Sequence, residues 1–168
     1  MLFMKQILFS HYTNLINYFK NKNMKLSKIR PVKTPTRGTE KSAGIDFYVP
    51  DNFVKKVIWI GDSIVIPTGI KVKVPHGFAL IGFNKSGVAT KKGLQIGACV
   101  IDEDYQGEIH IHLTKVCGEP ISIEPGEKIA QFILIPVFYD NIEVVDIEDL
   151  YQEISKRGEG GFGSTGIK

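Results

Sequence analysis

The sequence predicts an all-β protein of short strands, with one short helix and a Gly-rich C-terminal tail. Three observations predict it. Apolar residues alternate with polar ones at a period of two, as in Glu108-Ile109-His110-Ile111-His112-Leu113, the pattern of a strand with one buried face. Turn residues recur between the apolar runs, and the chain holds 17 Gly and 8 Pro. Among the strand-like runs, only Ser86-Gly87-Val88-Ala89-Thr90-Lys91-Lys92-Gly93 carries helix signals, a capping serine and a terminating glycine. Many short strands with frequent turns imply a sandwich, a barrel or a jelly roll.

A length of 168 residues suggests one domain with a sizeable core. Net charge is +3, but residues 1–23 hold Lys5, Lys20 and Lys22 and no acid. Without them, 18 basic residues face 18 acidic ones, so no broad nucleic-acid surface is expected. Cys99 and Cys117 lack metal spacing and do not make a secreted disulfide framework, which suggests a reducing compartment. A cytoplasmic protein is expected, with no membrane partner.

In order, residues 1–23 come first. Met4, Leu8, Tyr12, Leu15 and Phe19 recur at helical spacing, while Lys5, Gln6, Ser10 and His11 interrupt any membrane span. The segment is basic and acid-free but lacks Arg, so organelle targeting and a surface helix compete with an upstream extension before Met24. An extension is the expectation. A domain over 24–156 and a tail over 157–168 follow.

Strands are expected at Ile45–Val49, Ser63–Ile66, Ile70–Val74, Phe78–Phe83, Gln95–Ile101, Glu108–Val116, Ile129–Val137 and Ile142–Val145. Pro125-Gly126 fits the centre of a type II turn. The first turn of the Ser86 helix would present backbone N–H groups beside Lys85, a ready anion site. From Phe138 to Lys156 the chain turns acidic and should run over the surface. The tail has five glycines between Arg157 and Gly166, too many for a stable element of its own. Gly158–Gly163 matches G-x-G-x-x-G, but no strand closely precedes it and no helix can follow, so no dinucleotide site is expected. Arg157, Phe162, Ser164 and Thr165 nonetheless offer a phosphate fork, a stacking ring and two hydroxyls.

The centre of the chain is Val100-Ile101-Asp102-Glu103-Asp104-Tyr105-Gln106-Gly107-Glu108, an acidic turn between apolar runs. A carboxylate at such a turn can take a proton from water, and a ring three residues on can wall a small pocket.

With the other motifs, this stretch resembles the trimeric dUTP pyrophosphatase (dUTPase) family over most of residues 24–168. Ala43-Gly44-Ile45-Asp46 resembles the first family motif. Lys85-Ser86-Gly87 with Gly93-Leu94 resembles the second, and the central stretch the third. Pro125-Gly126-Glu127-Lys128-Ile129-Ala130-Gln131 resembles the fourth. Arg157 with Gly160-Gly161-Phe162-Gly163-Ser164-Thr165-Gly166 resembles the fifth. Five motifs in the family's order are specific together where each is modest alone.

The resemblance implies a jelly-roll-like β barrel and a homotrimer with shared sites. It implies Mg²⁺-dependent hydrolysis of dUTP to dUMP and pyrophosphate, which limits uracil in DNA and supplies dUMP. Asp102 would activate the attacking water, and Tyr105 would pack under the deoxyribose. The backbone of Ala98, Cys99 and Val100 would read uracil. Lys85, Ser86, Gly87 and Gln131 would hold phosphates. Phe162 would stack on the base, while Arg157, Gly163, Ser164 and Thr165 close over the phosphates. Asp46 would serve the Mg²⁺ water shell or the charge network. Mg²⁺ prefers oxygen ligands and keeps waters, so no His/Cys cluster is required. Three residues depart from the family pattern: Lys85 and Gln106 stand where Arg is usual, and Cys99 where Gly is. Lysine loses the guanidinium fork, so looser phosphate positioning is expected. A dCTP deaminase, the nearest rival, would need a Glu-centred site. A non-enzymatic jelly-roll module would not need five motifs in order.

Overall fold

The structure, a computed structural model, describes residues 23–153 and 155–161. In chain order the elements are β1 (Lys25–Lys28), β2 (Thr36–Arg37), β3 (Ile45–Tyr48), β4 (Lys56–Ile58), β5 (Ser63–Pro67), β6 (Ile70–Lys73), β7 (Phe78–Phe83), α1 (Ser86–Lys92), β8 (Leu94–Gly97), β9 (Val100–Ile101), β10 (His110–Lys115), β11 (Ile121–Ile123), β12 (Lys128–Pro136) and α2 (Ile147–Leu150). The main sheet has the order β2-β3-β12-β7-β9. A second sheet has the order β5-β10-β8, and β1-β6 and β11-β4 form two-stranded pairs. Pairing is antiparallel throughout the described ladders, as a jelly-roll-like fold requires.

Alternation sets the core. In β10, Ile111 and Leu113 point inward and are buried. They share one buried cluster with Ile66, Leu80, Leu94 and Ile129, while the rings of Phe47 and Phe132 pack with centroids 4.5 Å apart. Lys115 takes the third inward position and is also buried. Its ammonium donates to the carbonyl of Lys92, at 2.8 Å, and to that of Cys117. The Lys92 carbonyl lies at the C-terminal end of α1, where a cation is favoured, and the Cys117 carbonyl, just past β10, gives the buried ammonium a second acceptor.

Most expected strands are present within a residue or two of their expected ends. Two differ. Gln95–Ile101 is broken at Ala98–Cys99, where Ala98 has φ 51°, and its halves join different sheets. Ile142–Val145 forms no strand: Ile142 and Val144 are 93% exposed, and no ladder partner lies beside them. Strands β1, β2, β4 and β11 were not expected. They are polar or only a few residues long, and pairing with neighbours fixes them. Pro125-Gly126 turns as expected, with Gly126 at φ 77° and Glu127 N–H donating to the Glu124 carbonyl at 3.4 Å.

The described residues up to Phe138 form one compact unit, and those from Tyr139 another. The second contains α2, and the acidic side chains of Asp140–Glu153 are exposed there. The helical pattern of residues 1–22 lies outside the described residues.

Candidate active site

Asp46 and Gln131 are directly opposite partners on β3 and β12, and Gln131 also faces Phe83 on β7. The first and fourth motifs therefore share one face of the sheet. The register of β12 shifts between Lys128 and Ala130, so Ile129 and Ala130 are both buried in succession. Such a bulge re-aims the preceding side chain, and Lys128 joins Asp46 on its face. The Asp46 side chain is 7% exposed, with Lys85 Nζ 2.5 Å from Oδ1 and Lys128 Nζ 3.1 Å from Oδ2. Burial pushes this carboxyl's pKa up, but the two ammonium groups outweigh it and hold the pKa below the usual carboxylate range. The Lys128 ammonium is correspondingly raised, chiefly by its hydrogen bond to Asp46.

Gln131 Nε2 donates to the carbonyl of Asn84 at 2.9 Å. The amide oxygen of Asn84 in turn accepts Ile96 N–H at 2.8 Å. Asn84 thus ties Gln131 on β12 to Ile96 on β8, the strand that leads into the Ala98–Val100 corner, a link sequence reading did not find. Its place just before Lys85-Ser86-Gly87 was the only signal. A Cβ on Gly44 would stand 2.2 Å from Oε1 of Gln131, so a larger residue there would displace that side chain.

The expected serine cap of α1 is a correction. Lys85 is the N-cap, in extended backbone, with no side-chain capping bond, and Ser86 is the first helical residue. Lys85 turns its side chain to Asp46 instead. Ser86 and Gly87 are exposed, and a Cβ on Gly87 would meet nothing within 4 Å, so the chain's own packing does not demand glycine there.

At the opposite end of β7 stands the acidic turn. Ile101 pairs with Leu80, so Asp102 emerges beside the start of β7, whereas Lys85 follows its end. About five strand residues, ~16 Å, separate the two groups along the sheet. Tyr105 N–H donates to the Asp102 carbonyl at 3.3 Å and closes the turn. Asp102 and Asp104 are exposed, and Tyr105 is 42% exposed. The Tyr105 hydroxyl donates to the Glu108 carbonyl at 2.9 Å. Its ring lies so close over Gly107 that a Cβ there would stand 2.3 Å from the hydroxyl oxygen. Glu103 pins the near limb, accepting Gly77 N–H at 2.6 Å and meeting His76 Nδ1 at 3.0 Å.

At the third element of the site, the Ala98–Val100 corner, Cys99 offers its carbonyl to Gly82 N–H at 2.7 Å. Val100 is exposed and Cys99 half-buried. Arg157 lies in the second unit, its Nε donating to the Gly160 carbonyl at 2.7 Å. Phe162, Gly163, Ser164 and Thr165 lie outside the described residues.

Among the described residues, no group of three or more His, Cys, Asp or Glu is arranged to hold a metal. Both oxygens of Asp46 accept ammonium groups, yet each carboxylate oxygen has a second lone pair for a water. Asp46 could thus accept from a metal-bound water, although Lys85 and Lys128 already neutralise its charge.

The dUTPase family model matches residues 30–166. The deoxyuridine 5'-triphosphate nucleotidohydrolase of Candida glabrata is 41% identical over 132 residues, covering 79% of this chain and 88% of that protein. Its counterpart in Fusobacterium nucleatum is 34% identical over 151 residues, covering 88% and 99%. The dUTPase of Staphylococcus bacteriophage 80alpha, solved with dUPNHPP, has a similar fold, with TM-score 0.74 and 24% identity over 86% of this chain and 99% of that one. A family match over that span, with relatives this similar along nearly their whole length, means that the chain belongs to the dUTPase family of hydrolases.

Proposed function

We propose that the protein hydrolyses dUTP to dUMP and pyrophosphate with Asp102 as general base. The observation that carries this reading is the turn that holds an exposed carboxylate and an exposed ring three residues apart on a closed corner. Asp102 takes a proton as water attacks the α-phosphorus. The new P–O bond forms as the bridging bond to the β-phosphorus breaks, and pyrophosphate leaves. Tyr105 packs under the deoxyribose and leaves no room for a 2′-hydroxyl. The backbone of Ala98, Cys99 and Val100 reads the uracil edge.

Lys85, Ser86, Gly87 and Gln131 hold the phosphates. The open space at Gly87 and the exposed start of α1 support that assignment. Phosphoryl transfer needs alignment and charge neutralisation more than a covalent nucleophile. When bound, Mg²⁺ would supply part of that neutralisation, and Asp46 would serve its water shell or the charge network with Lys85 and Lys128. Arg157, Phe162, Gly163, Ser164 and Thr165 close over the nucleotide. Hydrolysis of this kind lowers the dUTP open to incorporation into DNA and yields dUMP for dTMP synthesis.

The site is shared between copies in a homotrimer. Supporting this is membership of the dUTPase family, and the separation of Asp102 and Lys85 along β7 is compatible with it. The test is turnover with dUTP, UTP, dCTP and dTTP side by side, with the released phosphate identified. Rapid turnover of dUTP alone, with pyrophosphate as product, is expected. Orthophosphate as product, or equal use of UTP, overturns the reading.

A further inference from the structure

Glu108 occupies a polar position of an alternating strand pattern, yet its side chain is only 11% exposed. Arg30 Nε donates to Oε1 at 2.8 Å and Arg30 Nη2 to Oε2 at 3.0 Å. Gly69 N–H donates to Oε1 at 2.7 Å. Gly69 has φ 73°, and a Cβ on it would stand 2.9 Å from Cβ of Arg30, so the clamp depends on glycine at that turn. Beside it, buried Thr68 donates to the Ile109 carbonyl through its N–H at 3.0 Å and its hydroxyl at 2.8 Å. Ile109 N–H returns a bond to the Ile70 carbonyl at 2.9 Å. The far limb of the acidic turn is thus bolted to the Pro67–Ile70 turn.

A partly exposed ion pair contributes little to stability, but a two-pronged guanidinium contact fixes geometry. What it fixes here is the Glu108 carbonyl, the acceptor for the Tyr105 hydroxyl at 2.9 Å. The ring is therefore held at its hydroxyl end by a residue anchored outside the turn.

We propose that Glu108, clamped by Arg30 and the Gly69 N–H, is a positioning residue that sets the Tyr105 ring and thereby the preference for deoxyribose over ribose. The inference rests on the reading of Tyr105 as the floor of the sugar site. The proposal gives Arg30 and Glu108 no contact with the nucleotide. Their effect passes through the ring.

The test compares kcat/KM for dUTP and UTP in full-length protein carrying Glu108→Gln, Arg30→Met, both together, Tyr105→Ala, or the core change Ile66→Val. Glu108→Gln and Arg30→Met should each lower the dUTP/UTP ratio about tenfold, within what a pocket achieves against one small group. The double variant should be no worse than either single one, since both break one contact. Ile66→Val should lower thermal stability and leave the ratio unchanged. Should Glu108→Gln fail to fold, Arg30→Met decides. An unchanged ratio in Arg30→Met, with a collapsed ratio in Tyr105→Ala, overturns the clamp and leaves the reading of Tyr105 standing. An unchanged ratio in Tyr105→Ala overturns that reading itself, and the clamp with it.

Discussion

The Lys85 ammonium lies 2.5 Å from Oδ1 of Asp46, which joins the second motif to the first through a nearly buried carboxylate. Lys85 is thereby held in place, and Lys128 takes the other oxygen. Removing the ammonium with Lys85→Met should raise KM for dUTP about tenfold, ~1.4 kcal/mol, with a smaller change in kcat. Lys85→Arg should leave KM equal or lower, because a guanidinium can grip a carboxylate and a phosphate with separate N–H groups. Steady-state kinetics decide both, and a large loss in Lys85→Arg would show that the Asp46 pocket has adapted to lysine.

Asp102→Asn keeps the shape of the turn and removes its proton acceptor. The loss in kcat should be about 10²–10⁴-fold, typical of a missing general base. Binding of a non-hydrolysable dUTP analogue, measured by calorimetry, should be nearly unchanged. Near-normal turnover would move the base elsewhere, with Asp104 the next residue to change.

Gly44→Ala tests how Gln131 is seated. The new Cβ would stand 2.2 Å from Oε1 of Gln131 and 3.0 Å from its Cβ, so the side chain must shift, which strains its bond to the Asn84 carbonyl. The expected outcome is a several-fold rise in KM and a loss of about 1 kcal/mol of stability, read from denaturant unfolding. Unchanged KM would mean that Gln131 does not hold phosphate.

Acid should destabilise the fold through two particular carboxylates. Hydrogen bonding from Arg30 holds the pKa of Glu108 down against its burial, and Lys85 and Lys128 do the same for Asp46. Both folded-state pKa values lie below the unfolded ones. Their contribution is therefore present above the ordinary carboxylate range and is lost as pH falls through the folded values. Melting temperature should drop below about pH 4, and the drop should be shallower in Glu108→Gln than in the parent protein. Equal slopes would assign the acid loss to other groups.

A shared site predicts complementation. Asp102→Asn with its tail, and a chain ending at Lys156 with Asp102 intact, should each be inactive alone. Refolded together, about a quarter of sites should hold both a working base and a tail, given random assortment. Activity near that fraction supports sharing. Persistent inactivity in mixed trimers confirmed by mass would reject it.

Much of this was legible in the residues, because alternation and turn chemistry are local signals. β7 was read at its observed bounds from Phe78-Ala79-Leu80-Ile81-Gly82-Phe83, and the acidic turn from its carboxylates and glycine. What escaped was decided at long range. Nothing near Glu108 announces that Arg30 holds it across 78 positions. The bulge that brings Lys128 to Asp46 depends on the register between β12 and β3, not on either strand alone. Ile142–Val145 was expected as a strand because β-branched residues cluster there, but without a partner strand such a run gains no ladder.

The chain changes sheets at Ala98–Cys99: β8 belongs with β10, and β9 with β7. The corner is a seam, with each side stitched to a different half of the barrel. The amide of Gly82, donated to the Cys99 carbonyl, sits on that seam. Its hydrogen exchanges with solvent only through openings that part β9 from β7, and such openings carry the corner away as well. Slow exchange at Gly82 therefore reports the intactness of the corner directly, with no nucleotide present.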